Sequence, residues 1–342
     1  MKIRRNFKKT PIKLVSSIAL ALTVSFGAGP SVAKETIRCV FPFWFGFAPV
    51  FVAQEEGYFE SEELEVTTAF DNDRANVLPA MSSGAIDCTM RTIGESMSRP
   101  RKADTTGTVI GTIDISIGAD GVVAAGDIKS VADLVGKTMA GEINHPGTTL
   151  VQHALAQIGK DISDVNIKLI ATDDSMAIFE DTSISAVATW EPMMSSIIKN
   201  TSREGAHLLL TSADYEGLIT DIILVRTDDF RENPGKYRKF LRGIYRAIDL
   251  YNADPDKFIA ISAPFFDVPA AEMKEALEGV KYTSYEESVA YLPTSSDDGK
   301  LKDVFDAFND INLALDMQDG PLEYKPYVDG EALKGLFDGH TR

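Results

Sequence analysis

The sequence predicts an α/β fold of two lobes whose sheets are mostly parallel. Short β-branched runs alternate with helical segments across short connections, the pattern of strands joined by crossover helices. The chain has 342 residues, and a length near 300 after removal of a leader favours two cores over one. No Gly-, Ser- or Pro-rich linker divides the chain, so it is expected to cross between the lobes more than once.

Strands are expected at 36–41, 64–69, 85–90, 108–115, 122–125, 138–141, 166–170, 184–189, 207–211 and 222–226. The first is followed by an aromatic loop and a short helix. Pro49 suits its first position and Gly57 a left-handed cap. Such an element points unpaired N–H groups into the mouth of a sheet, where small ligands bind. Further helices are expected at 76–83 before Gly84, from a capping box at Ser130-Val131-Ala132-Asp133 to Gly136, at 148–158 before Gly159, and at 192–200 behind Pro192. Beyond Asp229 the pattern turns helical: 234–252, 255–263, 269–277 and 300–315. Tyr237, Phe240, Leu241, Ile244, Tyr245, Ile248 and Tyr251 recur at helical spacing and read as core.

The N-terminus has the three parts of an export signal. Lys2, Arg4, Arg5, Lys8, Lys9 and Lys13 make a basic start, 14–26 is apolar, and Ser31-Val32-Ala33 offers small residues for cleavage. The apolar run is short for a stable membrane span. Arg4-Arg5-Asn6-Phe7-Lys8-Lys9 resembles a twin-arginine signal. No cysteine stands at the cleavage point, so no lipid anchor is expected there.

Formal net charge is −17; without the six basic leader residues it is about −23, which disfavours nucleic acid as a partner. Cys39 and Cys88 are the only cysteines. An oxidising compartment permits a disulfide, but both fall in strand-like runs. Neighbouring parallel strands suit the bond poorly, so two buried thiols are expected. There is no Gly-x-Ser-x-Gly elbow and no phosphate-binding Gly-rich loop. His145, His153, His207 and His340 lack metal-ligand spacing, and Asp71-Asn72-Asp73 lacks the rest of a calcium loop. No metal or cofactor is expected.

Several motifs occur in order along the chain. Phe45-Gly46-Phe47-Ala48-Pro49 precedes Ala53-Gln54-Glu55-Glu56-Gly57-Tyr58-Phe59. Then come Met81-Ser82-Ser83-Gly84-Ala85-Ile86-Asp87, Gly118-Ala119-Asp120-Gly121-Val122-Val123-Ala124 and Ile128-Lys129-Ser130-Val131-Ala132-Asp133-Leu134-Val135-Gly136-Lys137. Thr189-Trp190-Glu191-Pro192, the run 217–226 and Tyr282-Thr283 complete the set. Together they resemble periplasmic substrate-binding proteins of the nitrate, sulfonate and taurine type, a group that includes thiamine-precursor binding proteins. The resemblance implies a type II periplasmic binding protein fold, with two α/β lobes closing over a ligand on a two-strand hinge. It places lobe 1 at 34–120 plus 226–342 and lobe 2 at 121–225, after a leader at 1–33. It also implies a periplasmic monomer that passes its solute to an ABC permease in the inner membrane.

Family position suggests that Trp44 and Phe45 line the cleft, as faces for a ring or a cation; Phe41, Phe43 and Phe45 read equally as core. Trp190 ends a strand of the second lobe and is the candidate opposite Trp44. Asp120, Glu142, Glu191 and Asp221 sit at strand ends or hinge positions. Buried carboxylates need partners, which suggests a ligand amine or a protein arginine among them. Glu191 also suits a helix N-terminus, and Asp120 and Asp221 the hinge. Arg91 departs from the family's small-residue pattern; it could fork onto a sulfonate or carboxylate, or pair with Glu95. Thr92 is a candidate hydroxyl donor, and His145 a candidate contact in the loop before helix 148–158. The expected ligand is a small amino-bearing or zwitterionic compound, with a taurine-like aminosulfonate foremost. The alternatives are a thiamine-precursor pyrimidine and, since the same fold resembles pyrimidine synthases, an enzyme. Those enzymes carry a cysteine cluster that this chain lacks, so no enzymatic activity is expected.

Overall fold

Two sheets organise Lys34–Arg342. The structure is a computed structural model that describes residues 34–342 except 73, 98–106, 143–144 and 315. The expected leader, its cleavage after Ala33 and the twin-arginine motif lie outside the described residues, as do Asp73, Ile143, Asn144 and Leu315.

The larger sheet contains β1 (Glu35–Phe41), β2 (Leu64–Phe70), β3 (Cys88–Thr92), β4 (Thr108–Ser116), β10 (Thr220–Val225) and β11 (Val280–Tyr282), in the order β11-β4-β10-β3-β1-β2. The smaller contains β5 (Asp120–Ala124), β6 (Thr138–Gly141), β7 (Asn166–Leu169), β8 (Ala186–Trp190) and β9 (His207–Thr211), in the order β7-β6-β8-β5-β9. Each expected strand forms, and β11 adds an edge strand that was not expected.

Pairing is more mixed than the mostly parallel sheets the sequence predicts. β1 pairs in parallel with β2 and β3, and β6 with β7 and β8. The strands at the crossings are antiparallel: β10 to β3 and β4, and β5 to β8 and β9. The chain passes directly from β4 to β5 and from β9 to β10, and these direct crossings leave β5 and β10 opposed to their neighbours. β10 hydrogen-bonds in the larger sheet, so the second crossing precedes Thr220, earlier than the expected boundary at 225.

The crossings are tied to each other. Ser116 and Ser212 are both fully buried, with their Oγ atoms 2.7 Å apart. Ser212 Oγ accepts from the Gly118 N–H at 2.7 Å, and Ser116 Oγ from the Asp120 N–H at 3.1 Å. The Gly279 carbonyl accepts from the Ile117 N–H at 2.8 Å and thereby adds a third segment.

Cys39 and Cys88 form a disulfide, contrary to the expected free thiols. They are register partners on parallel β1 and β3, with Cα atoms 4.5 Å apart, inside the range that a disulfide spans. The bond closes a 49-residue separation. Helix Pro234–Ala253 buries Tyr237, Phe240, Leu241, Ile244, Tyr245 and Ile248, as its spacing predicted.

Candidate functional site

One row of residues crosses the larger sheet at the level of the crossings. Asp221 on β10 is opposite Thr92 on β3 and Asp114 on β4, and Asp114 is opposite Tyr282 on β11. In the smaller sheet Asp120 is opposite Trp190. A narrow cleft is lined by Pro42, Phe43, Trp44, Phe47, Thr92, Glu95, Asp120, His145, Pro146, Trp190 and Asp221, and its free cavity is about 30 Å³. Residues of both sheets therefore line one space, and among the described lining residues none is a lysine or arginine.

Local chemistry fixes each wall. The Trp44 indole N–H donates to the Asp114 carboxylate, with Nε1 3.2 and 3.3 Å from its two oxygens. Gly46 makes this possible, because a Cβ there would stand 2.1 Å from Trp44 Nε1 and 2.2 Å from Asp114 Oδ2. The Tyr282 hydroxyl donates to the Phe45 carbonyl at 2.8 Å and anchors the loop from β11. His145 stacks on Trp190 with ring centroids 4.5 Å apart and planes 19° apart. His145 caps helix Pro146–Gln157, its Nδ1 accepting from the Gly147 N–H at 3.4 Å. Gly147 lets this helix end meet the sheet, since a Cβ there would be 2.5 Å from the Gly121 carbonyl oxygen.

The carboxyl groups dominate the electrostatics. Burial pushes the Asp114 carboxyl above the usual carboxylate range; the charge of Asp120 adds to the rise, and the hydrogen bond from Trp44 opposes it. Asp221 is raised well above the usual carboxylate range, first by burial and then by the charges of Asp114, Asp120 and Glu95. Strand register places the Asp221 and Asp114 side chains opposite each other on one face of the sheet. Packing explains these directions: Asp114 is 0 % exposed and Asp221 3 %, so ionising both would place two charges in a low-dielectric space.

Among the sequence candidates, Trp44, Thr92, Asp120, His145, Trp190 and Asp221 line the cleft. Phe45, Arg91, Glu142 and Glu191 do not. Phe45 packs with Phe43 and Phe266, at centroid distances of 5.6 and 5.0 Å, as core. Arg91 is buried in β3, and strand alternation turns it to the face opposite Thr92. Glu142 accepts from the Thr172 hydroxyl at 3.0 Å. Glu191 accepts from the Ser195 N–H at 3.1 Å and its hydroxyl at 2.8 Å, at the start of helix Met193–Asn200.

Asp114 and Glu95 were not singled out as ligand contacts. Asp114 is the one carboxylate of the otherwise strand-like run 108–115, and a buried acid in such a run demands a partner. Glu95 lies in helix Ile93–Met97, its N–H donating to Thr92 Oγ1 at 3.1 Å.

A family model described as NMT1/THI5 like matches residues 44–258. A curated Brucella abortus (strain 2308) protein whose name gives it only a provisional binding role is 24% identical over 311 residues, covering 90% of this chain and 95% of its own. The alkanesulfonate-binding protein SsuA from Xanthomonas axonopodis pv. citri, bound to MOPS, superposes with a TM-score of 0.67 at 17% identity, over 86% of this chain and 98% of that one. The periplasmic nitrate-binding protein NrtA from Synechocystis PCC 6803 gives 0.69 at 12% identity, over 89% of each chain. The desulfurization enzyme DSZB gives 0.62 at 13% identity, over 90% of this chain and all of that one. Binding proteins and an enzyme thus share the fold.

Proposed function

The chain belongs to the NMT1/THI5-like family, and from that premise we propose that it is the exported solute-binding component of an ABC importer, capturing a small amino-bearing compound without transforming it. The observation that carries the ligand class is the cleft lining. Among the described lining residues, Glu95, Asp120 and Asp221 face the space beside Trp44, Trp190 and His145. A protonated or hydrogen-bond-donating nitrogen is attracted to such acids, and the aromatic faces take its apolar or cationic part. Binding without chemistry is supported by the disulfide, which leaves neither Cys39 nor Cys88 as a thiol nucleophile.

The lobes are proposed as the two sheets with their helices, closing about the two crossings. A cavity of about 30 Å³ is near the room that one water needs, so entry of a solute requires them to part. A taurine-like aminosulfonate fits if its ammonium meets the carboxyl groups and its sulfonate the N–H groups at the start of helix Pro146–Gln157. An aminopyrimidine is the second reading. The stacked His145 and Trp190 rings favour it, since a planar ring can lie against such faces while its amino edge donates to a carboxyl. Calorimetric titration with taurine, ethanesulfonate, nitrate and an aminopyrimidine separates these readings. The proposal expects heat from an amine-bearing compound and none from ethanesulfonate or nitrate; binding confined to the two anions overturns it. Export is checked by N-terminal sequencing of the secreted chain, which should begin at Lys34.

A further inference from the structure

The floor of the cleft holds two carboxyl groups that meet each other. Strand register sets Asp221 directly opposite Asp114, and both are buried. Trp44 donates its indole N–H to Asp114. Asp120 approaches from β5, Glu95 from helix Ile93–Met97 and Tyr282 from β11. His145 lines the same cleft from the start of helix Pro146–Gln157. Arg91 is on the strand next to β10, opposite Ile222, and Thr92 is the β3 residue opposite Asp221. Two carboxylates this close cannot both ionise in a dry site. Asp114 already accepts from Trp44, so the proton between the two acids belongs to Asp221, which donates to Asp114.

We propose that Asp114 and Asp221 share one proton across the cleft floor, and that a cationic ligand is captured by displacing that proton to solvent. The inference rests on the amino-bearing ligand of the proposed function, but its first half concerns the ligand-free protein alone. The balance is simple. Before binding, the pair carries one negative charge and one proton. On binding, the ligand's ammonium replaces the proton's charge, both carboxyl groups become carboxylates, and one proton leaves. No bond is broken except that O–H. A fixed positive charge on the ligand thereby substitutes for a mobile one, and the Trp44 indole stays anchored to Asp114 throughout. Asp221 is then the binding group and Asp114 the positioning residue that holds both it and Trp44.

The test has two arms. In the first, infrared difference spectra of the ligand-free protein between pH 6 and 8 look for a protonated carboxyl band. The wild type should show it, Asp221→Asn should lose it, and Asp114→Asn should shift it, because Asp221 then donates to an amide; an absent band, or one unchanged in both variants, overturns the shared proton. The wild-type spectrum decides this even if a variant fails to fold. In the second arm, benzylammonium is titrated calorimetrically at several pH values in two buffers of different ionisation enthalpy. Affinity should rise about tenfold per pH unit where one proton is released, with one proton passed to buffer. Asp221→Asn should release none and lose the pH dependence. Wild-type binding with no proton release overturns displacement while the pair stands. Failure of benzylammonium to bind at any pH, with the carboxyl band present, overturns displacement together with the amino-ligand reading and leaves the shared proton intact.

Discussion

Replacing Gly46 with alanine adds one methyl group between Trp44 and Asp114. The new Cβ would be 2.1 Å from Trp44 Nε1 and 2.2 Å from Asp114 Oδ2, whereas ordinary contact begins near 3.4 Å. One partner must therefore retreat by more than an ångström. The loop backbone is pinned by Tyr282 on the Phe45 carbonyl, and Asp114 is fully buried on β4. The indole is the group with room to yield, which breaks its hydrogen bond to Asp114. Overpacking costs about 1–3 kcal/mol, and losing a hydrogen bond to a charged partner about 1.5–3 kcal/mol. The two overlap, because the movement that relieves one causes the other, so the expected loss is about 2–4 kcal/mol. Urea unfolding monitored by tryptophan fluorescence measures it, together with a change in native emission as Trp44 leaves Asp114. Gly235→Ala is the control: nothing lies within 4 Å of its added Cβ, and the change should stay within about 0.5 kcal/mol of wild type. A Gly46→Ala protein as stable as that control, with unaltered emission, refutes the reasoning.

Other consequences follow from the same contacts. Cys39→Ser with Cys88→Ser opens a loop spanning 49 residues and should cost about 4 kcal/mol on the chain-entropy relation; a loss below about 1 kcal/mol in urea unfolding contradicts it. Ser212→Ala removes the acceptor of the Gly118 N–H and the partner of Ser116. It should speed hydrogen exchange at the Gly118 amide and cost about 1–3 kcal/mol, and unchanged exchange there argues against the tie. Asp114 and Asp221 are raised in the folded chain, so between pH 4 and 8 the native state binds more protons than the unfolded one. Their contribution to stability therefore falls as pH rises, by up to about 1.4 kcal/mol per unit per proton. Thermal unfolding of Asp221→Asn should show a flatter pH dependence than wild type across this window; parallel curves refute the assignment.

The parts of the cleft legible in the sequence sit where elements end. Trp190 closes β8, Asp120 opens β5, Thr92 ends β3, and His145 precedes a proline-initiated helix. At such places side chains reach a ligand cleft whatever the details of packing. Phe45, one residue from Trp44, takes the core alternative because the loop turns through a short 3₁₀ segment, Phe45–Phe47, and its side chains do not simply alternate. Strand geometry separates Thr92 from Arg91, since β3 carries Thr92 to the cleft and alternation turns Arg91 to the other face. Asp114 was hidden in an apolar run because its partners, Trp44 and Asp221, are 70 residues before it and far beyond it. The disulfide escaped for a similar reason: only the register of β1 on β3 brings Cys39 and Cys88 together. β11 spans three residues, too few for a periodicity to show.

The amino-bearing ligand is tested most directly by a thermal-shift screen of the secreted, ligand-free protein against amines, aminopyrimidines, sulfonates and nitrate. Each is added in large excess, since a ligand at 100 times its Kd adds about 2.7 kcal/mol to apparent stability. The account predicts that amine-bearing compounds raise the unfolding temperature of wild type and raise it far less in Asp221→Asn. A shift from nitrate or ethanesulfonate with none from any amine contradicts it.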